Sequence, residues 1–363
     1  TSVVYIRQGN PNQTDVDVDN DGAIRTGDMY DNWVDLNKMP LPQADLHQRL
    51  FARILSKLNA AKKPLPNFWY FPNGKNTVVV LTSDAHNNPD DYYQNVVTSM
   101  NKFNVKTTVY WSGGPPSESL YTSMKDQGYS FSTHPYMVDN PLDIGLTTVE
   151  DNFTSTYNDT YGKTTRIHRL QWQGWVDAGK VEVDHGYQMD YSYYRYGPWL
   201  QKPDNTWARG YMTGSGLPMK LIDATGQVVN LFAQYTELAD DQMLDNTSGP
   251  EHLDQTSAIV YTRQAIDSSE AGNNQAVAFQ MHVDYYYNTY HDEQTWAEDA
   301  ISYTKSLNIP IFSGEDWNTF TQNRYNSTFT NISWANSKLG FTANIPAGQS
   351  GQAFSLPART SAG

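Results

Sequence analysis

The run Thr77-Val78-Val79-Val80-Leu81 constrains the fold more than any other stretch of this chain. It is β-branched and uncharged, with no polar alternation. That pattern predicts a strand buried on both faces, as at the centre of a parallel sheet or barrel. Elements alternate around it. Leu46 to Ala61 places Leu46, Leu50, Ile54, Leu55 and Leu58 at helical spacing, and Pro64 and Pro66 end that helix. Asp90 to Phe103 reads as a helix and Lys106 to Trp111 as a second strand. Leu120 to Gln127 reads as a helix closed by Gly128, and Tyr129 to Thr133 as a third strand. A β–α–β–α–β rhythm implies an α/β layer or barrel.

The middle of the chain is less regular. Val181 to Met189 predicts one or two strands, Gly210 to Pro218 a glycine-rich loop, and Gln227 to Tyr235 a strand. Ala258 to Ala271 and Glu293 to Leu307 read as helices. Ala276 to His282 and Ile309 to Phe312 read as strands. From about Asn326 the pattern turns to alternating, Thr- and Ser-rich β, the start of a β-rich module.

Composition narrows the function. With 363 residues, 13% of them aromatic, the chain can bury a sizeable core. No run of 18 apolar residues exists, so no membrane-spanning helix is expected. Thr1-Ser2-Val3-Val4 has neither the basic start nor the apolar stretch of a signal peptide. The 25 basic and 39 acidic residues leave a net charge of −14, which repels nucleic acid and suits metal cations or neutral and cationic polymers. With no cysteine, thiolate chemistry and disulfide scaffolds are excluded. Polarity carried by Asn, Gln, Ser and Thr, with 25 Tyr and 10 Trp, points to a secreted, extracellular protein acting on carbohydrate.

Chemistry concentrates where strands end. Asp84 and His86 follow the buried strand two residues apart, so an extended chain points both the same way. They can share a metal or divide into base and ligand. His134 follows the third strand, and His282 ends the strand Ala276–Met281. Arg166-Ile167-His168-Arg169 gathers two Arg and a His in one turn, able to bind acyl or carboxylate groups or to orient a catalytic Asp. Each His taken alone reads as well as a packed or surface residue. Three separate strands ending in His are harder to dismiss.

A further motif is Asp17-Val18-Asp19-Asn20-Asp21-Gly22-Ala23, continued to Asp28. Oxygen ligands fall at loop positions 1, 3, 5 and 12, with the Ala23 carbonyl at 7 and Gly22 at the sharp turn. This is a calcium-loop pattern with Asp where EF-hands place Glu. Its expected role is structural. No nucleophile elbow, Walker loop or dinucleotide fingerprint occurs.

The order of these motifs resembles the NodB-homology polysaccharide deacetylases, carbohydrate esterase family 4 and its relatives. The nearest likeness is a divergent branch resembling the galactosaminogalactan deacetylases. That branch has a Thr-Gly-Asp-Asp-His-like motif after a stretch similar to Pro64-Leu65-Pro66-Asn67-Phe68-Trp69-Tyr70-Phe71-Pro72. The likeness spans roughly residues 64–324 and rests also on Arg166–Trp175, Met189–Tyr194, Met212–Met219 and Ala276–Asp284. It implies an α/β deformed barrel over 62–325, an N-terminal extension over 1–61 and a β-rich C-terminal piece over 326–363.

The resemblance also implies roles. Asp84 would be the catalytic base and His282 the acid, with Arg166 and Asp190 orienting them. The family's second Asp, a metal ligand, falls on Ala85, so His86 becomes the replacement ligand. His134 matches the first His of the second motif. The second falls on Val138, and the adjacent Asp139 can substitute. The implied metal is a divalent transition ion, zinc first, with nickel, cobalt or manganese as options. Trp172, Tyr193, Tyr194 and His168 are the substrate-binding candidates, and Tyr285 to Tyr287 are further aromatics for stacking on sugar. The expected activity is hydrolytic deacetylation of an extracellular N-acetylated aminosugar polymer by a monomer. Two alternatives stand. One is an inactive carbohydrate-binding protein on the same scaffold, favoured by Ala85 and Val138. The other is a glycoside hydrolase using Asp84 and Asp190.

Overall fold

The computed structural model describes residues 16–20, 22–30, 34–59, 64–137, 141–172, 174, 176–244, 249–287, 292–348 and 350–356. Helix α1 (Gln43–Asn59) and strand β1 (Asn67–Phe68) come first. Then follow β2 (Val78–Ala85), α2 (Asp90–Lys102), β3 (Thr108–Trp111), α3 (Glu118–Asp126), β4 (Ser130–Thr133), α4 (Leu142–Tyr157), β5 (Thr164–Thr165), α5 (Asp177–Asp184) and β6 (Met189–Asp190). The second half runs β7 (Met219–Ile222), β8 (Val228–Ala233), β9 (Thr236–Ala239), α6 (Asp240–Met243), α7 (Gln255–Ser268), β10 (Ala276–His282), α8 (Asp292–Ser306), β11 (Ile311–Ser313) and α9 (Gly314–Tyr325). Strands β12 (Thr328–Ala335), β13 (Lys338–Asn344) and β14 (Phe354–Ser355) close the described chain.

The main sheet runs β7-β8-β6-β5-β4-β3-β2-β10-β9, with β11 also paired to β2. Only the β7–β8 pair within it is antiparallel. The sheet curls far enough that its β9 edge meets the chain leaving β6, where Thr236 N–H donates to the Tyr193 carbonyl at 2.8 Å. The fold is therefore an α/β deformed barrel.

The all-buried strand β2 serves two layers, as its uninterrupted apolar sequence requires. Val78 and Val80 face the barrel interior with Ala276, Ala278, Tyr110 and Tyr191. Val79, Leu81 and Ala85 face the outer helical layer with Val277, Phe279 and Met281. Strand β10 lies in parallel register with β2, setting His282 opposite Asp84 and Gln280 opposite Thr82.

Two expectations change. Val181–Met189 is not strand: its first part belongs to α5, which buries Ala178, Gly179 and Glu182, and only Met189–Asp190 is extended. Short β-branched runs do not separate strand from helix by periodicity. The C-terminal β piece also folds back on the residues before the barrel. There β14 pairs with β1, and Phe68 stacks on Phe329 at 4.1 Å.

Candidate metal and catalytic site

The candidate side chains leave the C-terminal ends of β2, β4, β5, β9 and β10, the end where α/β sheets present ligands. Alternation along β2 sends Asp84 and then His86 to the inner face and Ala85 outward. Ala85 is fully buried in the apolar cluster that holds Trp111 and Tyr93. Its carbonyl accepts the Ser112 N–H and hydroxyl, at 3.3 and 2.7 Å. A carboxylate at position 85 would enter this apolar layer, whereas position 86 opens onto the cavity.

His86, His134 and His168 each present a ring nitrogen, and the three nitrogens lie within 4.8 Å of one another. The Nε2 atoms of His86 and His134 are 3.1 Å apart. His134 Nδ1 donates to the Arg166 carbonyl at 2.7 Å, which leaves Nε2 as the inward atom. His168 Nδ1 is buried without a protein partner. Burial lowers the His134 pKa to about 3 and that of His168 to about 2, so both rings are neutral with lone pairs available. This donor set suits a divalent transition metal, whose common ligand is neutral imidazole.

His168 thus belongs with the metal-ligating candidates rather than the substrate-binding ones. It is carried there by a turn in which Arg169 and Leu170 have φ of 56° and 55°. Such backbone is costly for residues other than glycine. Arg25 Nε donates to the Arg169 carbonyl at 2.7 Å and braces the turn. No periodicity signals such a turn in sequence. Asp139 lies outside the described residues.

Asp84 is buried beside this cluster. Arg166 Nη1 donates to its Oδ1 at 2.9 Å and Gln280 Nε2 to its Oδ2 at 3.0 Å. Burial alone would raise its pKa, but Arg166, then His134 and His282, hold it well below the usual carboxylate range. Arg166 is itself fixed by Tyr191 O at 3.2 Å and Thr236 Oγ1 at 3.3 Å.

Across the cavity, His282 Nδ1 donates to Asp240 Oδ1 at 2.9 Å and its backbone N–H to Asp240 Oδ2 at 2.6 Å. Burial pushes the imidazole toward neutrality, but Asp240, followed by Asp241 and Asp84, raises its pKa to about 10. His282 is therefore a buried imidazolium.

Asp190, expected to orient the base or acid, reaches neither. Both its oxygens accept the Ser192 N–H, at 2.9 and 3.0 Å, and its ionisable neighbours are buried Glu182 and Arg166, the latter being its sole bearing on Asp84. The partner of His282 is Asp240, which sequence reasoning missed although Asp240-Asp241 follows the last residue of β9. Trp172 and Tyr193 are buried, edge to face at 4.9 Å, and act as core. The Tyr194 hydroxyl is spent on Asp241 Oδ1 at 2.6 Å. Tyr194 still lines the cavity, with Tyr196 and Tyr285; the Tyr285 ring lies 4.6 Å from that of His282, and Tyr136, beside the cavity, sets its ring 3.9 Å from that of His168. The cavity, of about 460 Å³, is bounded by Asp84, the three His, His282 and Tyr285 together with Arg25 and Arg169.

In the N-terminal loop, Asp17, Asp19 and Asp28 each bring a carboxylate oxygen within 4.8 Å of the others; Asp21 lies outside the described residues. Gly22 has φ of 87° and donates its N–H to Asp17 Oδ2 at 2.9 Å. Asp28 accepts from Val18 N and Arg25 N at 2.9 and 2.6 Å, and burial raises its pKa. The loop docks on the His168 turn: Trp172 N–H donates to the Ile24 carbonyl at 2.9 Å.

No protein-family model matches the chain, and no curated protein matches it in sequence. Among solved structures, a polysaccharide deacetylase from Mycobacterium smegmatis superposes with a TM-score of 0.50 at 13% identity, covering 71% of this chain and 94% of that one. A Puue allantoinase gives a TM-score of 0.48 at 10% identity, covering 69% and 91%. A carbohydrate esterase family 4 enzyme from Streptococcus mutans gives 0.43 at 11%, covering 66% and 87%. The first of these likenesses is one of fold, the NodB-type deformed barrel. The other two are too distant to add to it.

Proposed function

We propose that this chain is a metal-dependent hydrolase that removes acetyl groups from an N-acetylated aminosugar polymer outside the cell. The observation that carries the reading is a single cavity in which three His nitrogens converge between a clamped, ionised Asp84 and a charged His282. His86, His134 and His168 would hold the cation. A divalent ion bound there polarises an acyl carbonyl and makes water more acidic.

The remaining steps belong to the chain. Asp84, ionised at neutral pH, accepts the proton of the attacking water. Arg166 and Gln280 fix its two oxygens, so it meets the water in one orientation. An amide nitrogen does not leave as an anion, so a proton must reach it. His282 lies across the cavity, already charged, and supplies that proton. Tyr136 and Tyr285 give the sugar apolar faces at the mouth. The acidic surface suits a product that turns cationic on losing acetyl groups. Motif order favours the galactosaminogalactan branch for the substrate. The Asp17–Asp28 loop would hold calcium as a structural staple under the His168 turn.

The test is acetate release from chitin oligomers and galactosaminogalactan, with metal analysis of the same sample. Chelation should abolish release and leave chain length unchanged. Polymer affinity with no bound metal and no acetate would favour the binding-protein reading instead. Shortened chains insensitive to chelator would favour a glycosidase. That last reading suffers from Asp190, which sits outside the cavity that Asp84 faces.

A further inference from the structure

Behind His282 lies a carboxyl that the mechanism above does not use. Glu293, in the first turn of α8, is fully buried. Neither of its oxygens receives a hydrogen bond from any N–H or hydroxyl. The groups that act on it are acidic: Asp240, which its carboxyl meets directly, then Asp284 and Asp241. Tyr286, packed against the same spot, turns its hydroxyl to Met281 Sδ at 3.8 Å. An ionised carboxylate without a donor is among the costliest groups to bury, and three acidic neighbours add repulsion. The side chain relieves both by keeping its proton. The acceptor in front of that proton is Asp240, the residue that binds His282 through both ring and backbone.

We infer that Glu293 is a positioning residue: as a neutral acid it donates its carboxyl proton to Asp240 and so sets how strongly Asp240 holds His282. The order is Glu293–Asp240–His282, with the imidazole Nε2 at the cavity side, 3.1 Å from Gln280 Nε2. A donor on Asp240 competes with the ring N–H for the oxygen lone pairs and so weakens the hold on the imidazole. It also fixes the carboxylate plane against rotation. The inference rests on the reading of His282 as general acid, yet the placement of the proton can be tested without turnover.

The experiment compares wild type, E293Q and E293A. A Gln amide donates to Asp240 as a carboxylic acid does; Ala cannot. The first readout is the Nδ1–H proton resonance of His282. E293Q should keep the wild-type position. E293A should move it further downfield, because Asp240, freed of one donor, accepts more strongly from the ring. The second readout is kinetic. E293Q should hold kcat within about two-fold, while E293A loses roughly ten- to a hundred-fold in kcat with KM and metal content little changed. If E293A fails to fold, E293Q alone decides: a shifted resonance overturns the inference and an unshifted one supports it. Equal shifts in both variants, or none in either, would also overturn it. If the wild-type chain releases no acetate, the deacetylase reading falls, while the resonance comparison still decides where the proton sits.

Discussion

Replacing Arg166 by Met should both destabilise the protein and bring the acid limb of its activity into view. Arg166 is fully buried and Asp84 nearly so, and their ion pair at 2.9 Å has no water to fall back on. Met keeps most of the volume of the stem but leaves Asp84 with Gln280 as its remaining donor at 3.0 Å. Removing one partner of a buried pair typically costs about 3–5 kcal/mol, because the other charge stays behind unpaired. At roughly 2–4 °C per kcal/mol for chains of this order, the melting temperature should fall by roughly 6–20 °C.

The pH dependence carries the sharper test. In the wild type the folded pKa of Asp84 is depressed, so its stabilisation is present above the unfolded carboxylate value and lost only as pH falls through the much lower folded value. In the Met variant burial remains while the largest lowering influence is gone, so the folded pKa is expected to rise past the unfolded one against the smaller pull of His134 and His282. The penalty is then full at high pH and shrinks as Asp84 takes up a proton. The gap in melting temperature between the two proteins should therefore narrow between about pH 8 and about pH 5. Over the same range the acid limb of kcat/KM should shift upward in the variant. A gap that is constant or widens toward acid would refute the claim that Arg166 holds Asp84 ionised.

Four other outcomes are expected. His168→Ala should lose bound metal along with activity, whereas His282→Ala should lose activity and keep the metal; plasma mass spectrometry of the purified variants decides, and metal retained in His168→Ala removes that residue as a ligand. Asp240→Asn should lower the His282 pKa from about 10, the sign following from removal of the charge that raises it, so the basic limb of the rate profile moves to lower pH. Asp17→Ala should lower the melting temperature in calcium and leave it unchanged in chelator; an identical calcium response in variant and wild type would return the loop to an acidic surface turn. Ala85→Asp should destabilise by about 1–3 kcal/mol or more without strengthening metal binding, because position 85 faces the apolar layer.

Much of this centre was legible beforehand because strands report their own geometry. The period-2 rule places Asp84 with His86, and Gln280 with His282, on one face once the strand ends are known. Continuous apolar runs mark β2 and β10 as central. The calcium-like spacing in the first 28 residues likewise brings Asp17, Asp19 and Asp28 together. Other elements were hidden for physical reasons. Helix α9 buries Asn318 and Thr321 beside Trp317 and Phe320, so polar residues blur its apolar stripe. In α5 the β-branched Val181 and Val183 suggest strand, although the buried face is Ala178, Gly179 and Glu182. Aromatic richness suggests sugar stacking, but Trp172 and Tyr193 are consumed by the core.

What the amino-acid order alone determined is the barrel and the list of strand ends from which chemistry can project, because alternation and burial are local properties of a strand. Which partners meet was decided by the tertiary structure. His168 reaches His86 and His134 only through a left-handed turn braced by Arg25, some 140 residues earlier in the chain. His282 takes Asp240 rather than Asp190 because curling of the sheet brings β9 beside β10. Both choices depend on closing the chain over long separations, and no residue spacing encodes that closure.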